Sequence, residues 1–174
     1  MSEHQRRAFL NFHTVSAAIR ADAWRRTPFR PVRTLGEDLL WAREVVEAGW
    51  ALVHEPASCV HHSHEYSIGE WFARNVDDGV ANRDINHRAF PEEDILPQIR
   101  GQARDDWAYL RDSLGLSGPE LEHWQLESVL RRTAQAVGQW LGTNYETLPN
   151  GTAAQFSSVS LTRAAAPWAS AESP

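Results

Sequence analysis

The stretch from residue 92 to residue 141 constrains the fold most. Leu96, Ile99, Ala103, Trp107 and Leu110 recur near the helical period, which predicts a helix over about Glu92 to Leu114. Gly115 and Gly118-Pro119 then punctuate the chain. Ser117 or Gly118 is placed to cap a second helix over about Pro119 to Leu141, because proline suits a first helical turn. Leu121, Trp124, Leu130, Ala134, Val137 and Leu141 are its expected core residues. Two long helices joined by so short a turn have to run back against each other, so residues 91–150 read as a helical hairpin.

The residues before it read as mixed α/β. Ala8 to Ile19 and the run Trp50-Ala51-Leu52-Val53 have the composition of strands, Pro56 interrupts, and Cys59-Val60 begins another. Between them, Ala21 to Arg26 is a short helix that stops ahead of Pro28. A longer helix is expected over about Asp38 to Ala48, where Leu39, Leu40, Val45 and Val46 form its apolar stripe and Gly49 stands where a helix should stop. A further helix covers Ser67 to about Asn82. Ser67 is its N-cap and Glu70, three residues on, completes a capping box, while Gly79 marks an end or a kink. Residues 8–90 are thus expected to form a short mixed sheet with helices. The tail, 151–174, is rich in Ser, Ala and Thr and is expected to be disordered.

Composition removes several classes of function. All 17 basic residues are arginine, so no lysine is present to form a Schiff base or act as a nucleophile. The net charge of -6 argues against a nucleic-acid partner held through phosphates. One cysteine, Cys59, allows neither an internal disulfide nor a multi-cysteine metal site. No apolar run reaches the roughly 20 residues of a membrane span. Residues Met1 to Arg7 are polar and do not read as a signal peptide, so the expected location is cytoplasmic, with attachment at the periphery of the inner membrane as the alternative.

Two clusters could carry chemistry. Glu37-Asp38 opens a helix, where a carboxylate can serve as a general base or simply complement the helix dipole. His61, His62 and His64 lie close together. On a strand His62 and His64 would share a face and could bind a transition metal, although surface hydrogen-bonded histidines are the plainer reading. The eight tryptophans suit either a core or a sugar-stacking groove. Trp41, one turn after Asp38, could line such a groove or pack the core. Arg20 and Arg43 could contact a diphosphate or a polar acceptor, with a solvated helix face as the alternative for Arg43.

The order of these motifs resembles the C-terminal, acceptor-side half of bacterial family 2 glycosyltransferases of the GT-A type, the rhamnosyltransferase-like group in particular. The residues that carry the likeness are Ala18-Ile19-Arg20 with Trp24 and Pro28-Phe29, then Glu37-Asp38-Leu39-Leu40-Trp41-Ala42-Arg43, Glu47-Ala48-Gly49-Trp50, Glu55-Pro56-Ala57, and the histidine tract with Tyr66-Ser67. Leu141-Gly142 through Tyr145 and Leu148-Pro149 extend it downstream. The resemblance implies a partial GT-A-like mixed sheet ahead of the hairpin. It implies an inverting transfer of a hexose, with rhamnose from its dTDP-activated form as the implied donor, onto a polysaccharide or other glycan acceptor. Asp38 would be the base and Glu37 its supporting acid. His62, or else His64, would complete the shell of Mg²⁺ or Mn²⁺ on the donor diphosphate. That family binds its nucleotide through a D-x-D motif, which this sequence lacks; Asp77-Asp78 and Asp105-Asp106 are adjacent pairs instead. The expectation is therefore one part of a split or truncated enzyme that works with a separate donor-binding half. The competing expectations are a non-catalytic module that binds such a half or a second copy of itself, and a plain metal-binding domain using His61 to His64.

Overall fold

The computed structural model describes residues 12–149 and 151–158. The chain divides into two compact units, Met1–Glu65 and Tyr66–Pro174.

In the first unit a 3-10 turn at Thr14–Ser16 precedes helices α1, Ala21–Arg26, and α2, Glu37–Glu47. α1 ends at Thr27, ahead of Pro28. Gly36, with φ 93°, turns the chain into α2 in a left-handed conformation that a side chain would strain. Gly49, at φ 90°, ends the helix in the same conformation, while the Trp50 N–H donates to the Val45 carbonyl at 2.9 Å. Ala23, Trp41, Ala42 and Val45 are buried. Trp41 is the centre of this small core. Its ring lies 5.3 Å from both Phe12 and Phe29, and its indole N–H donates to the Thr27 carbonyl at 2.6 Å. Arg30 and Glu44 form an ion pair beside it.

The expected mixed sheet does not form, and this corrects the α/β, GT-A-like reading: among the described residues there is no strand. Residues 51–65 carry no regular structure, and Val53 and Val60 are 86% and 56% exposed. The backbone N–H groups of Ala57 and Ser58 bond only locally. The Ser58 N–H donates to the Glu55 carbonyl and the Ala57 N–H to the Glu55 carboxylate. A strand needs a neighbour to satisfy its N–H and C=O groups, and an apolar run of four residues supplies none by itself. Of the strand expected at Ala8 to Ile19, residues 8–11 lie outside the described residues, and the rest contains the Thr14–Ser16 turn.

The second unit is helical. α3 spans Ile68–Asn86, α4 Ile95–Ala108, α5 Gly118–Thr143 and α6 Thr152–Phe156, with a 3-10 turn at Glu92–Asp94 and a π turn at Tyr109–Ser113. α3 starts with the expected capping box, in which the Ser67 hydroxyl accepts from the Glu70 N–H and the Glu70 carboxylate accepts from the Ser67 N–H at 2.8 Å. It runs through Gly79 without ending there. Gly79, Gly138 and Gly142 bring the α3 and α5 backbones into contact. A methyl group at Gly79 would stand 2.6 Å from the Gln139 carbonyl oxygen, and one at Gly138 would stand 2.8 Å from that of Phe72. α4 and α5 form the antiparallel hairpin. Asp106 accepts from Arg132 at 2.7 Å on each oxygen and from the Ser128 hydroxyl at 2.7 Å, and the Trp107 indole donates to the Gln125 carbonyl. Beside Arg132, Asp106 is held below the usual carboxylate range, mainly by that guanidinium's hydrogen bonds.

The short α6 falls on part of the tail expected to be disordered; residues 159–174 lie outside the described residues. Ala153 joins Val76 and Leu141 in a buried cluster flanked by Phe72, Trp140, Tyr145 and Leu148. Beyond it, Asp77, fully buried in α3, accepts from the Ser157 hydroxyl and from both the hydroxyl and the N–H of Ser158. Among the described residues no helix is long and apolar enough to cross a membrane.

Candidate functional site

Asp38 occupies the first turn of α2, behind the left-handed Gly36. Its side chain is 18% exposed and is held from two directions. One carboxylate oxygen accepts from the Leu39 N–H at 2.8 Å, and the other accepts from the Thr14 N–H at 3.3 Å. The second bond crosses 24 residues and ties the Thr14–Ser16 turn to the start of α2. It also brings up a residue for which the sequence offered no signal. His13, the residue before Thr14, presents Nδ1 3.9 Å from the same Asp38 oxygen, with its imidazole 66% exposed. Only the knowledge that the turn folds onto α2 could have found it. Glu37 is exposed at the same helix end, where its charge complements the dipole.

The far end of the turn is also tied. The Ser16 and Ser58 hydroxyls lie 3.0 Å apart, which links the turn to the loop that leads into the histidine tract. Within this unit the turn therefore connects the acidic helix end on one side with the loop approaching His61, His62 and His64 on the other. These histidines are exposed and lie on irregular backbone rather than a strand. The His62 and His64 rings meet edge to face with centroids 4.5 Å apart. Two imidazoles so close can supply two nitrogen ligands, a donor pair that suits Mn²⁺ or another transition ion better than Mg²⁺. Among the described residues no group of three or more His, Cys, Asp or Glu side chains could hold a metal ion.

The other expected substrate contacts are distributed as follows. Trp41 is 4% exposed and belongs to the core described above. Arg20 is exposed and pairs with Asp22 at 2.8 Å, and its guanidinium lies 5.1 Å from the centre of the Trp50 ring, with Arg26 at 5.9 Å from the same ring. Its hydrogen bonds hold Asp22 below the usual carboxylate range. Arg43 pairs with Glu47 one turn along α2 at 3.0 Å. The described contacts thus bring Asp38, Thr14 and His13 together, and separately His62 with His64.

The chain is 27% identical over 154 residues to an O-antigen chain rhamnosyltransferase of Salmonella typhimurium and 26% identical over 154 residues to one of Salmonella anatum. Each likeness covers 85% of this chain but 47% of the relative, so the chain spans about half the length of the curated relatives it matches. The matching portion is their C-terminal half, as the resemblance in the motifs implied. No family model matches the sequence. No solved structure matches it either.

Proposed function

We propose that this chain is the acceptor-side part of a glycosyltransferase that moves rhamnose from a nucleotide-sugar donor, dTDP-rhamnose, to a hydroxyl of a surface polysaccharide. The observation that carries this reading is the likeness to two O-antigen chain rhamnosyltransferases along 85% of the chain. The site geometry supports it. Inverting transfer needs proton removal from the attacking hydroxyl, and Asp38 is a fixed carboxylate held by two backbone N–H groups rather than a loosely solvated one. Asp38 is the carboxylate of the base in this reading, and Glu37 adds negative charge beside it. His62 and His64 would hold a divalent ion, which when bound would neutralise the leaving diphosphate. Arg20 and Arg43 are available to polar groups of donor or acceptor. Donor binding calls for the D-x-D-bearing half, whether it belongs to the same polypeptide or to a separate one.

The test is transfer of rhamnose from dTDP-rhamnose to a lipid-linked or soluble oligosaccharide in the presence of Mn²⁺. The chain is assayed alone and together with a D-x-D-bearing N-terminal half from one of the Salmonella relatives. Turnover that Asp38→Asn abolishes without loss of helical circular dichroism is the expected result. Transfer unaffected by Asp38→Asn removes Asp38 from the reaction.

A second reading is favoured by one observation: Leu96, Tyr109, Leu114, Trp124, Leu126 and Leu130 of the helical hairpin are all at least 45% exposed. A non-catalytic module that covers these side chains with a partner, the donor-binding half or a second copy, would account for them. In that case sedimentation shows a complex, and no variant of Asp38 changes any activity.

A further inference from the structure

We propose that the base of this site is a carboxylate–imidazole pair, in which His13 Nε2 takes the acceptor's proton and Asp38 is the positioning residue that orients the ring. The inference rests on the glycosyltransferase reading above and adds a residue to it. Three observations support it. The Asp38 side chain is only 18% exposed, which leaves less room beside it for a sugar than an open surface carboxylate has. The member of the pair that is open to a substrate is His13, at 66% exposure. Finally, Nδ1 faces the carboxylate at 3.9 Å, which leaves Nε2 on the far, outward side of the ring. The gap is longer than a hydrogen bond, and such contacts are often long before substrate binds and shorten in the reacting complex.

The backbone makes the placement more than a chance approach of two surface groups. His13 precedes the Thr14–Ser16 turn, which is fastened at one end to Asp38 through the Thr14 N–H and at the other to Ser58 through Ser16. The turn that follows His13 is therefore held between the helix that carries the carboxylate and the loop leading to His62 and His64.

Asp38 accepts from Nδ1–H and so selects the tautomer with a lone pair on Nε2. The acceptor O–H bond breaks and its proton goes to Nε2. The freed electron pair on oxygen forms the bond to the anomeric carbon of a nucleoside-diphosphate sugar. The bond from that carbon to the diphosphate breaks, and the diphosphate leaves with its electrons. The imidazolium, paired with Asp38, then returns its proton to water.

The primary test needs no turnover. Long-range proton–nitrogen spectra of the full chain, labelled in its histidine rings, should show His13 carrying its proton on Nδ1 above the range where the ring is charged. In Asp38→Asn the proton should move to Nε2, the tautomer imidazole favours in water. A wild-type ring already protonated on Nε2 overturns the proposal, whatever the variant does. In the transfer assay, His13→Ala should lower kcat by about 100-fold or more with the acceptor KM unchanged, in line with the usual contribution of a general base. Free imidazole should restore part of the rate, and the double variant should be no worse than either single one. If Asp38→Asn is inactive while His13→Ala keeps full activity, the pair is refuted and the glycosyltransferase reading stands. If transfer survives both substitutions, the pair is refuted and Asp38 is removed from the reaction; absence of any transfer with the donor-binding half present is what overturns the glycosyltransferase reading.

Discussion

Gly142→Ala adds a single methyl group to the tightest helix contact of the second unit. The new Cβ would lie 2.8 Å from the Gly79 Cα and 2.8 Å from the Val80 nitrogen, and closer still to the Val76 carbonyl oxygen. All three neighbours are backbone, so no rotamer change can relieve the clash, and α3 and α5 have to separate by roughly an ångström along this stretch. Overpacking of this kind costs about 1–3 kcal/mol, occasionally more, and rigid neighbours place the site at the upper end. Alanine's helix propensity returns about 1 kcal/mol. The net loss is about 2 kcal/mol, which in a chain of this size lowers Tm by about 4–8 °C. Gly101→Ala in α4 is the internal control. Nothing lies within 4 Å of its added methyl, so the propensity gain stands alone and stability should rise by up to about 1 kcal/mol. Thermal and urea unfolding followed by far-ultraviolet circular dichroism measures both. Equal stability of Gly142→Ala and the wild type, or equal damage from Gly101→Ala, would refute the backbone-contact account.

Other outcomes follow from particular side chains. Asp106 has a depressed pKa because Arg132 and Ser128 bond its charged form, so its stabilising contribution is present above the unfolded-state pKa near 4 and fades as pH falls through the lower folded value. Asp106→Asn should therefore destabilise the chain at pH 7 and flatten the acid limb of a stability–pH curve below about pH 4; an unchanged acid limb counts against the pairing. Trp41→Phe keeps most of the packing against Phe12 and Phe29 but loses the donation to the Thr27 carbonyl, at a cost of about 1 kcal/mol plus the lost indole area. Trp41→Ala should cost about 3–5 kcal/mol, read by urea unfolding.

Local rules recover much of the second unit. Ser67 and Glu70 identify the start of α3 because a capping box is a contact between neighbours in sequence. Gly118-Pro119 places the turn of the hairpin for the same reason. Where the information is non-local, expectation and structure part. Gly79 reads as a helix end or kink until Gly142 is known to stand opposite it, and then it becomes the residue that allows contact. Trp124 and Leu130, expected in the core on hydrophobicity, are each 45% exposed. Trp50 to Val53 has the composition of a buried strand, but pairing depends on a partner that composition does not reveal. At the candidate site, Asp38 and the histidine tract were legible as residue types in a suggestive order. His13 was not, because its approach to Asp38 depends on a hydrogen bond between residues 14 and 38.

The anchoring of Ser157 and Ser158 on Asp77 has a practical consequence for anyone dissecting the chain. A fragment cut just before residue 157 would keep every described helix of the second unit, yet it would strip three donors from a carboxylate sealed inside α3. Where to cut is thus a matter of keeping one carboxyl group solvated, and that boundary lies beyond the last described turn of helix.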